Sequence, residues 1–236
     1  MTAATWDWMR SGEAVVAEAV ARLDDAAIAR PSRLPGWTRG HVVTHLARNA
    51  DALRNLLDWG RTGVEHPMYP SRDARAADIE AGSGRPAAEQ SADLAAAVAR
   101  LVDELDAYPP DRWDVPVRGG TTGQIMPVSV VPWLRVREVW LHVVDLDVGV
   151  PLSAMPLGVA ERLCAQNLVS YAARDDVPAV GVTLLPGGER TRLGAESAIA
   201  VEVRGSAREL VGWLTGRSRD ALATDGTPAP ELPPWL

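Results

Sequence analysis

The chain contains no lysine, so all 24 of its basic side chains other than histidine are arginines. That absence excludes Schiff-base catalysis and a Walker-type phosphate lysine. Phenylalanine is missing too, and aromatic residues make up only 5% of the sequence. A single cysteine, Cys164, rules out a disulfide framework and fits a reducing cytoplasm. The formal net charge is −7 and no basic stripe is present, which argues against a grip on nucleic-acid phosphates. The start, Met1-Thr-Ala-Ala-Thr-Trp-Asp7, lacks a cationic segment followed by an apolar run, so secretion is not expected. The longest uncharged run, Gly119 to Leu134, holds two prolines and several polar residues and does not read as a membrane span. A cytoplasmic chain with no nucleic-acid, membrane or obligate protein partner is the expectation.

At 236 residues and 47% hydrophobic content the chain can bury one good core, or a core and a smaller second domain. Residues 5–30 show helical spacing through Trp8, Val15, Ala19 and Leu23, with Pro31 as the stop. After the turn Ser32-Arg-Leu-Pro-Gly-Trp37, Thr38 is an N-cap for a helix running to about Trp59. The Gly-, Pro- and Arg-rich stretch 61–85 reads as a long connection, interrupted by a short helix over 71–80. Pro86 opens a third long helix that Pro109-Pro110 ends, and residues 111–131 read as a loop or irregular hairpin. A fourth helix follows Pro132, and four long helices make a four-helix bundle over residues 1–150. Beyond Pro151 the pattern changes to a helix over 156–173, β-like runs over 180–185 and 198–203, and a helix opened by the capping box Ser206-Ala-Arg-Glu209. Residues 155–236 are therefore expected to form a small α+β C-terminal domain, ending in an extended Pro-rich tail from Thr227.

The chemistry concentrates on Trp133-Leu-Arg-Val-Arg-Glu138-Val-Trp-Leu-His142-Val-Val-Asp145. Glu138 and His142 stand four apart, so they share one helix face, and that face should otherwise be core. A carboxylate and an imidazole there are unfavourable unless compensated, and a bound metal is one compensation. The Thr38 helix also carries polar groups, His45 and Asn49, in its apolar stripe. His45, Glu138 and His142 would form a His₂Glu set, three ligands with one position open, which suits zinc; nickel, iron or cobalt would also accept it. A buried His–Glu hydrogen bond is the alternative reading of the spacing. His41, one turn before His45, is the competing ligand. Asn49 and Asp145 are candidates for orienting imidazoles, or for plain solvated polar residues. His66 reads as surface, and Cys164 as an inert core thiol. Arg217 follows a helix-ending glycine; it either complements the helix dipole or clamps a substrate carboxylate.

The run Leu34-Pro-Gly-Trp-Thr-Arg-Gly-His41-Val-Val-Thr-His45-Leu-Ala-Arg-Asn-Ala-Asp51 closely resembles the N-terminal motif of the mycothiol-dependent maleylpyruvate isomerase family. Met68-Tyr-Pro-Ser, Ala77-Asp-Ile-Glu-Ala-Gly-Ser-Gly-Arg-Pro86 and Pro132-Trp-Leu-Arg-Val-Arg-Glu138-Val-Trp-Leu-His142-Val-Val-Asp-Leu146 resemble it likewise. Trp213-Leu-Thr-Gly-Arg217 looks like part of the family's smaller C-terminal domain, so the resemblance spans nearly the whole chain. The resemblance implies a DinB-like four-helix bundle holding a divalent metal, usually zinc, on His45, Glu138 and His142, followed by the α+β domain. Arg217 is the match to an arginine implicated in the family's activity.

The implied reaction converts maleylpyruvate to fumarylpyruvate, a step of aromatic degradation through gentisate. Mycothiol would supply a metal-held thiolate that adds to the cis double bond, frees it to rotate, and leaves as the trans isomer forms. An arginine would hold the carboxylate and stabilise the developing enolate. Two other readings accompany this one: a mycothiol S-transferase acting on other electrophiles, and a metal-stabilised binding protein without catalysis.

Overall fold

The computed structural model describes residues 2–119, 123–194, 201–218, 223–224 and 229–234. Contacts gather the chain into two compact units, residues 1–150 and 151–236. The fold is a helix-rich α+β arrangement, with eight α-helices and two small sheets among the described residues.

The first unit starts with α1 (Ala3–Ala21) and a four-residue α2 (Asp25–Ile28). The single helix expected over 5–30 is thus two, and Asp24 is the reason. Its carboxylate accepts the Ala27 N–H at 2.7 Å and starts a new helix where the first has run out. The long α3 (Arg39–Thr62) begins on Thr38 as expected, with an unusual partner in the cap. The Thr38 hydroxyl accepts the His41 N–H, and Nδ1 of His41 accepts the Thr38 N–H at 3.1 Å, the place glutamate usually takes. Gly63, at φ +76°, ends α3 in the left-handed conformation that glycine tolerates. Next come α4 (Arg72–Ser83), capped by Ser71, and α5 (Ala87–Asp106), which follows Pro86. The irregular hairpin is β1 (Pro116–Gly119) paired antiparallel with β2 (Gln124–Pro127). Last is α6 (Val131–Asp145), with Pro132 in its first turn.

The centre of this unit is α3, which packs on α4, α5 and α6, while α1 lies on α5 and α6. Leu46, Leu53, Leu56 and Leu57 of α3 are fully buried, as are Leu101 of α5 and Val136 and Val139 of α6. Each such side chain contributes roughly 1.5–3 kcal/mol through the apolar area it removes from water. Close approach of α3 and α4 depends on two glycines. A Cβ at Gly40 would run into the Ser83 carbonyl oxygen, and one at Gly82 into the Thr44 side chain. This contact holds α4, and with it Arg75, against the first turns of α3.

Two buried arginines fix α3 against α6. Arg39 donates from Nε to Leu146 O at 2.8 Å and from Nη2 to Asp147 O at 2.7 Å, satisfying carbonyls at the α6 C-terminus. Arg135, with no exposed surface, donates from Nη1 to Leu46 O at 2.7 Å and to Asn49 Oδ1 at 3.0 Å. Its other nitrogens form a two-pronged pair with Glu13 of α1. One side chain thereby ties three helices together.

The second unit contains α7 (Leu157–Ala172), β3 (Val180–Leu185), β4 (Arg190–Leu193), β5 (Val201–Ser206), α8 (Ala207–Leu214) and β6 (Ala223–Thr224). The sheet order is β4-β3-β5-β6, with β3 and β5 parallel and the other pairs antiparallel. The strand expected over 198–203 begins at Val201; residues 198–200 lie outside the described residues. Strand β4 escaped the sequence reading because Arg-Thr-Arg-Leu buries only Leu193, as an edge strand can. The capping box holds: Ser206 N–H donates to Glu209 Oε2 at 2.7 Å, and the Ser206 hydroxyl accepts the Glu209 N–H. Of the Pro-rich tail, residues 229–234 are described and carry no regular structure. Trp213 pins them by donating from Nε1 to Pro230 O at 2.9 Å.

Replacing Arg135 with Met leaves the Glu13 carboxylate and Asn49 Oδ1 without their arginine donor. The expected loss is about 3–5 kcal/mol of unfolding free energy, read from denaturant midpoints at constant slope. A variant as stable as the parent would show that the clamp does not set the helix packing.

Candidate metal centre

The site forms where the first turns of α3 pass the last turns of α6. Pro31 and Thr38 make an isolated antiparallel bridge that closes the 31–38 loop. That closure sets the Trp37 ring against His41, with centroids 5.9 Å apart, and edge-on to His45 at 5.7 Å. His45 is 3% exposed, a buried imidazole beside the Trp37 ring.

Three ligand atoms meet there. His45 Nε2 lies 2.9 Å from Glu138 Oε2 and 3.1 Å from His142 Nε2, and His142 Nε2 lies 3.4 Å from the same Glu138 oxygen. Ligands held at about 2.0–2.1 Å around a tetrahedral ion stand roughly 3.3 Å apart, so the triangle has the dimensions of one face of such a site. Two imidazole nitrogens pointed at each other are poor company without something between them, since at most one proton can occupy that line. Donor type, spacing and burial all fit a divalent cation, and His45, Glu138 and His142 form the metal-capable cluster among the described residues.

The electrostatics prepare the same set. Burial holds His45 down to about 4, so the ring is neutral near pH 7 despite its bond to Glu138. Burial pushes the Glu138 carboxyl up, but the hydrogen bonds from His142 and His45 outweigh it and keep it well below the ordinary glutamate range. For His142, burial acts downward and is outweighed by the bonds to Asp145 and Glu138, so its pKa stands raised. Asp145, itself fully buried, accepts from His142 Nδ1 at 2.8 Å. This fixes the ring and leaves Nε2 facing the cluster, the arrangement metal-bound histidines commonly have.

The other candidates sort out by position. His41 is not in the cluster: Nδ1 is taken by Thr38 and Nε2 lies 3.1 Å from Glu80. Asn49 supports Arg135 through its Oδ1, which places its role in holding the helices rather than an imidazole. His66 is exposed beside Asp58, and Cys164 is buried with its thiol pushed up to about 11 by burial. Arg217 belongs to the second unit, in the turn that closes α8; its N–H donates to Gly212 O at 2.6 Å and its Nη1 to Thr215 O at 3.0 Å.

One neighbour escaped the sequence reading. Arg75 of α4 puts Nη2 3.1 Å from His45 Nδ1, and its guanidinium lies over the Tyr69 ring at 5.7 Å. Only the tertiary approach of α4 to α3 brings Arg75 there, and its own helix carries no periodic signal that singles it out.

A helical unit that gathers two histidines and a glutamate from two helices defines the class as a metal-capable α+β protein. The family model described as the mycothiol maleylpyruvate isomerase N-terminal domain matches residues 9–147, and the chain belongs to that family. A solved structure of the mycothiol-dependent maleylpyruvate isomerase is similar at a TM-score of 0.92 and 30% identity, covering 98% of this chain and 95% of the other. A histidine-to-alanine mutant of an isomerase so described gives the same values of 0.92, 30%, 98% and 95%. No curated protein matches the chain. No described helix is long and apolar enough to cross a membrane.

Two outcomes are expected. Because His142 is raised above its ordinary pKa while His45 and Glu138 are already deprotonated, zinc must displace one proton from His142. Zinc affinity should therefore rise with pH through the His142 pKa, with up to one proton released at pH 6 and less at pH 8.5. Calorimetry in buffers of differing ionisation enthalpy measures this, and proton release that does not change with pH contradicts it. Replacing Asp145 with Asn should weaken zinc roughly 10–100-fold in a chelator competition, since the ring loses its carboxylate support.

Proposed function

We propose that this chain is a metal- and mycothiol-dependent cis–trans isomerase that converts maleylpyruvate to fumarylpyruvate in the cytoplasm. The observation that carries the reading is the convergence of His45, Glu138 and His142 on one point. Membership of the family and the likeness of both chains over nearly their full lengths support it. The proposed architecture is a DinB-like four-helix bundle over residues 1–150, with zinc on the three ligands, and a small α+β C-terminal domain over 155–236.

Bound there, a divalent metal would supply a Lewis acid able to hold a thiol as its thiolate near neutral pH. The chain's own residues do the rest. His45 and His142 present neutral nitrogens, Glu138 a charge, and Asp145 keeps the His142 ring in one tautomer. Trp37 walls the cluster on the His45 side, and this dry surface strengthens each polar contact inside it. Thiol addition to the double bond and its later elimination balance without an oxidant or reductant, so the reaction asks for no redox group. Arg217 is proposed to hold a carboxylate of the substrate and stabilise the enolate that develops.

The test is to incubate the purified, zinc-loaded chain with maleylpyruvate, with and without mycothiol, and follow fumarylpyruvate. Turnover only with mycothiol is expected. No product under any metal loading would sink the isomerase and leave S-transfer to other electrophiles as the activity to assay. Changing His45 to Ala should remove most bound metal and activity while circular dichroism shows the helices intact. Full zinc occupancy in that variant contradicts the ligand assignment.

A further inference from the structure

A cavity of about 210 Å³ opens in the first unit beside the metal-capable cluster, and one of its lining residues touches the cluster. Arg75 lines the cavity and also touches His45. Arg72 and Arg118 line it too, with Glu65 as the one acidic residue of the wall, in a chain whose net charge is −7. Tyr69, Trp59 and Met68 supply apolar surface. The cavity is thus locally cationic against the sign of the whole chain, which favours a small anion. Guanidinium groups also match carboxylates in a planar, two-point fashion.

Arg75 stands apart from most arginines of this unit. Arg10, Arg33, Arg48, Arg54, Arg61, Arg85, Arg100 and Arg135 each pair with a carboxylate. Among the described residues the partners shown for Arg75 are neutral, the His45 ring nitrogen and Tyr69, whose ring it covers and whose hydroxyl it bonds. A half-buried guanidinium without an anion is under-compensated, so a carboxylate arriving in the cavity gains more there than at a paired arginine.

The contact with His45 also carries a condition. Arginine has only donors, so His45 Nδ1 must accept, and the ring proton sits on Nε2, directed at Glu138. An ion on Nε2 requires that proton to move to Nδ1, where it would confront the Arg75 N–H. The two cannot both donate, so metal loading releases Arg75 from the ring.

We propose that this cavity is a carboxylate-binding subsite in which Arg75, set free from His45 when the metal binds, holds one end of a small dianionic substrate, with Arg72 and Arg118 as the cationic wall. This rests on the metal-site reading above and names the chain's own carboxylate partner in the first unit. The two events are linked: the metal raises affinity for the anion, and the anion raises affinity for the metal by the same factor.

The test measures binding without turnover. Succinate, which cannot isomerise, is titrated by calorimetry into the zinc-loaded chain and into the metal-free chain, with succinamide as the uncharged control. Succinate should bind the zinc-loaded form at least several-fold more tightly than the metal-free form, and succinamide should bind neither. Arg75→Gln should lower succinate affinity about tenfold or more, at one zinc per chain and an unchanged melting temperature, with Arg75→Lys falling between. Arg118→Gln, on the exposed hairpin, gives a second reading of the wall, and a smaller weakening is expected. Equal succinate affinity in Arg75→Gln and the parent, or equal affinity with and without zinc, overturns the proposal. Because no chemistry is read, a chain that binds succinate as stated yet makes no fumarylpyruvate keeps the subsite while losing the isomerase assignment.

Discussion

The register between α3 and α6 is the constraint on which the site depends. His45 sits on one helix and Glu138 and His142 on the other, so a slip of one residue along either would turn a ligand away from the rest. Apolar packing alone is forgiving of such slips, because leucine and valine faces interdigitate in more than one way. Hydrogen bonds from a buried side chain to a particular carbonyl are not. Arg39 reaches the α6 C-terminus and Arg135 reaches back to Leu46, one position past His45, so the two clamps bracket the cluster from both ends. Each buries a charge that must be satisfied in one geometry, which trades some stability for a single arrangement.

Around this register the site is layered. Trp37 and the leucines of α3 make the surroundings dry, and burial drives the His45 ring to its neutral form. Asp145 then holds His142, and the two imidazoles share the Glu138 oxygen. Left to themselves, these groups form a network that keeps each polar atom within reach of a partner. With the Nε2 protons displaced, three lone pairs converge on one point, which is the property a divalent ion uses. The same side chains therefore serve two states, a hydrogen-bonded one and a coordinating one, and Arg75 contacts the atom whose proton distinguishes them.

Much of this was legible in the sequence, and the failures are instructive. Polar residues interrupting two apolar stripes pointed to His45, Glu138 and His142, because buried charge asks for compensation, with a plain buried His–Glu hydrogen bond as the alternative. Thr38 and Ser206 marked helix starts through side-chain capping within four residues, and Pro86 through its fixed backbone. The break between α1 and α2 was missed because Leu23, in the gap between them, kept to the helical spacing of α1. Strand β4 was missed because an edge strand needs little apolar alternation. Arg39, Arg75 and Arg135 were not foreseen at all. An arginine on a helix reads as a solvated residue, and only the folded chain shows that these three point inward to carbonyls, a carboxylate or a ring nitrogen.

The central claim is that the three converging atoms hold one divalent ion. The most direct measurement is a crystal of the zinc-loaded chain, with diffraction collected on both sides of the zinc absorption edge. The account predicts one anomalous peak per chain, about 2.0–2.2 Å from His45 Nε2, His142 Nε2 and a Glu138 oxygen, with a fourth position open. A peak bound by other residues, or none at full zinc loading, would contradict it.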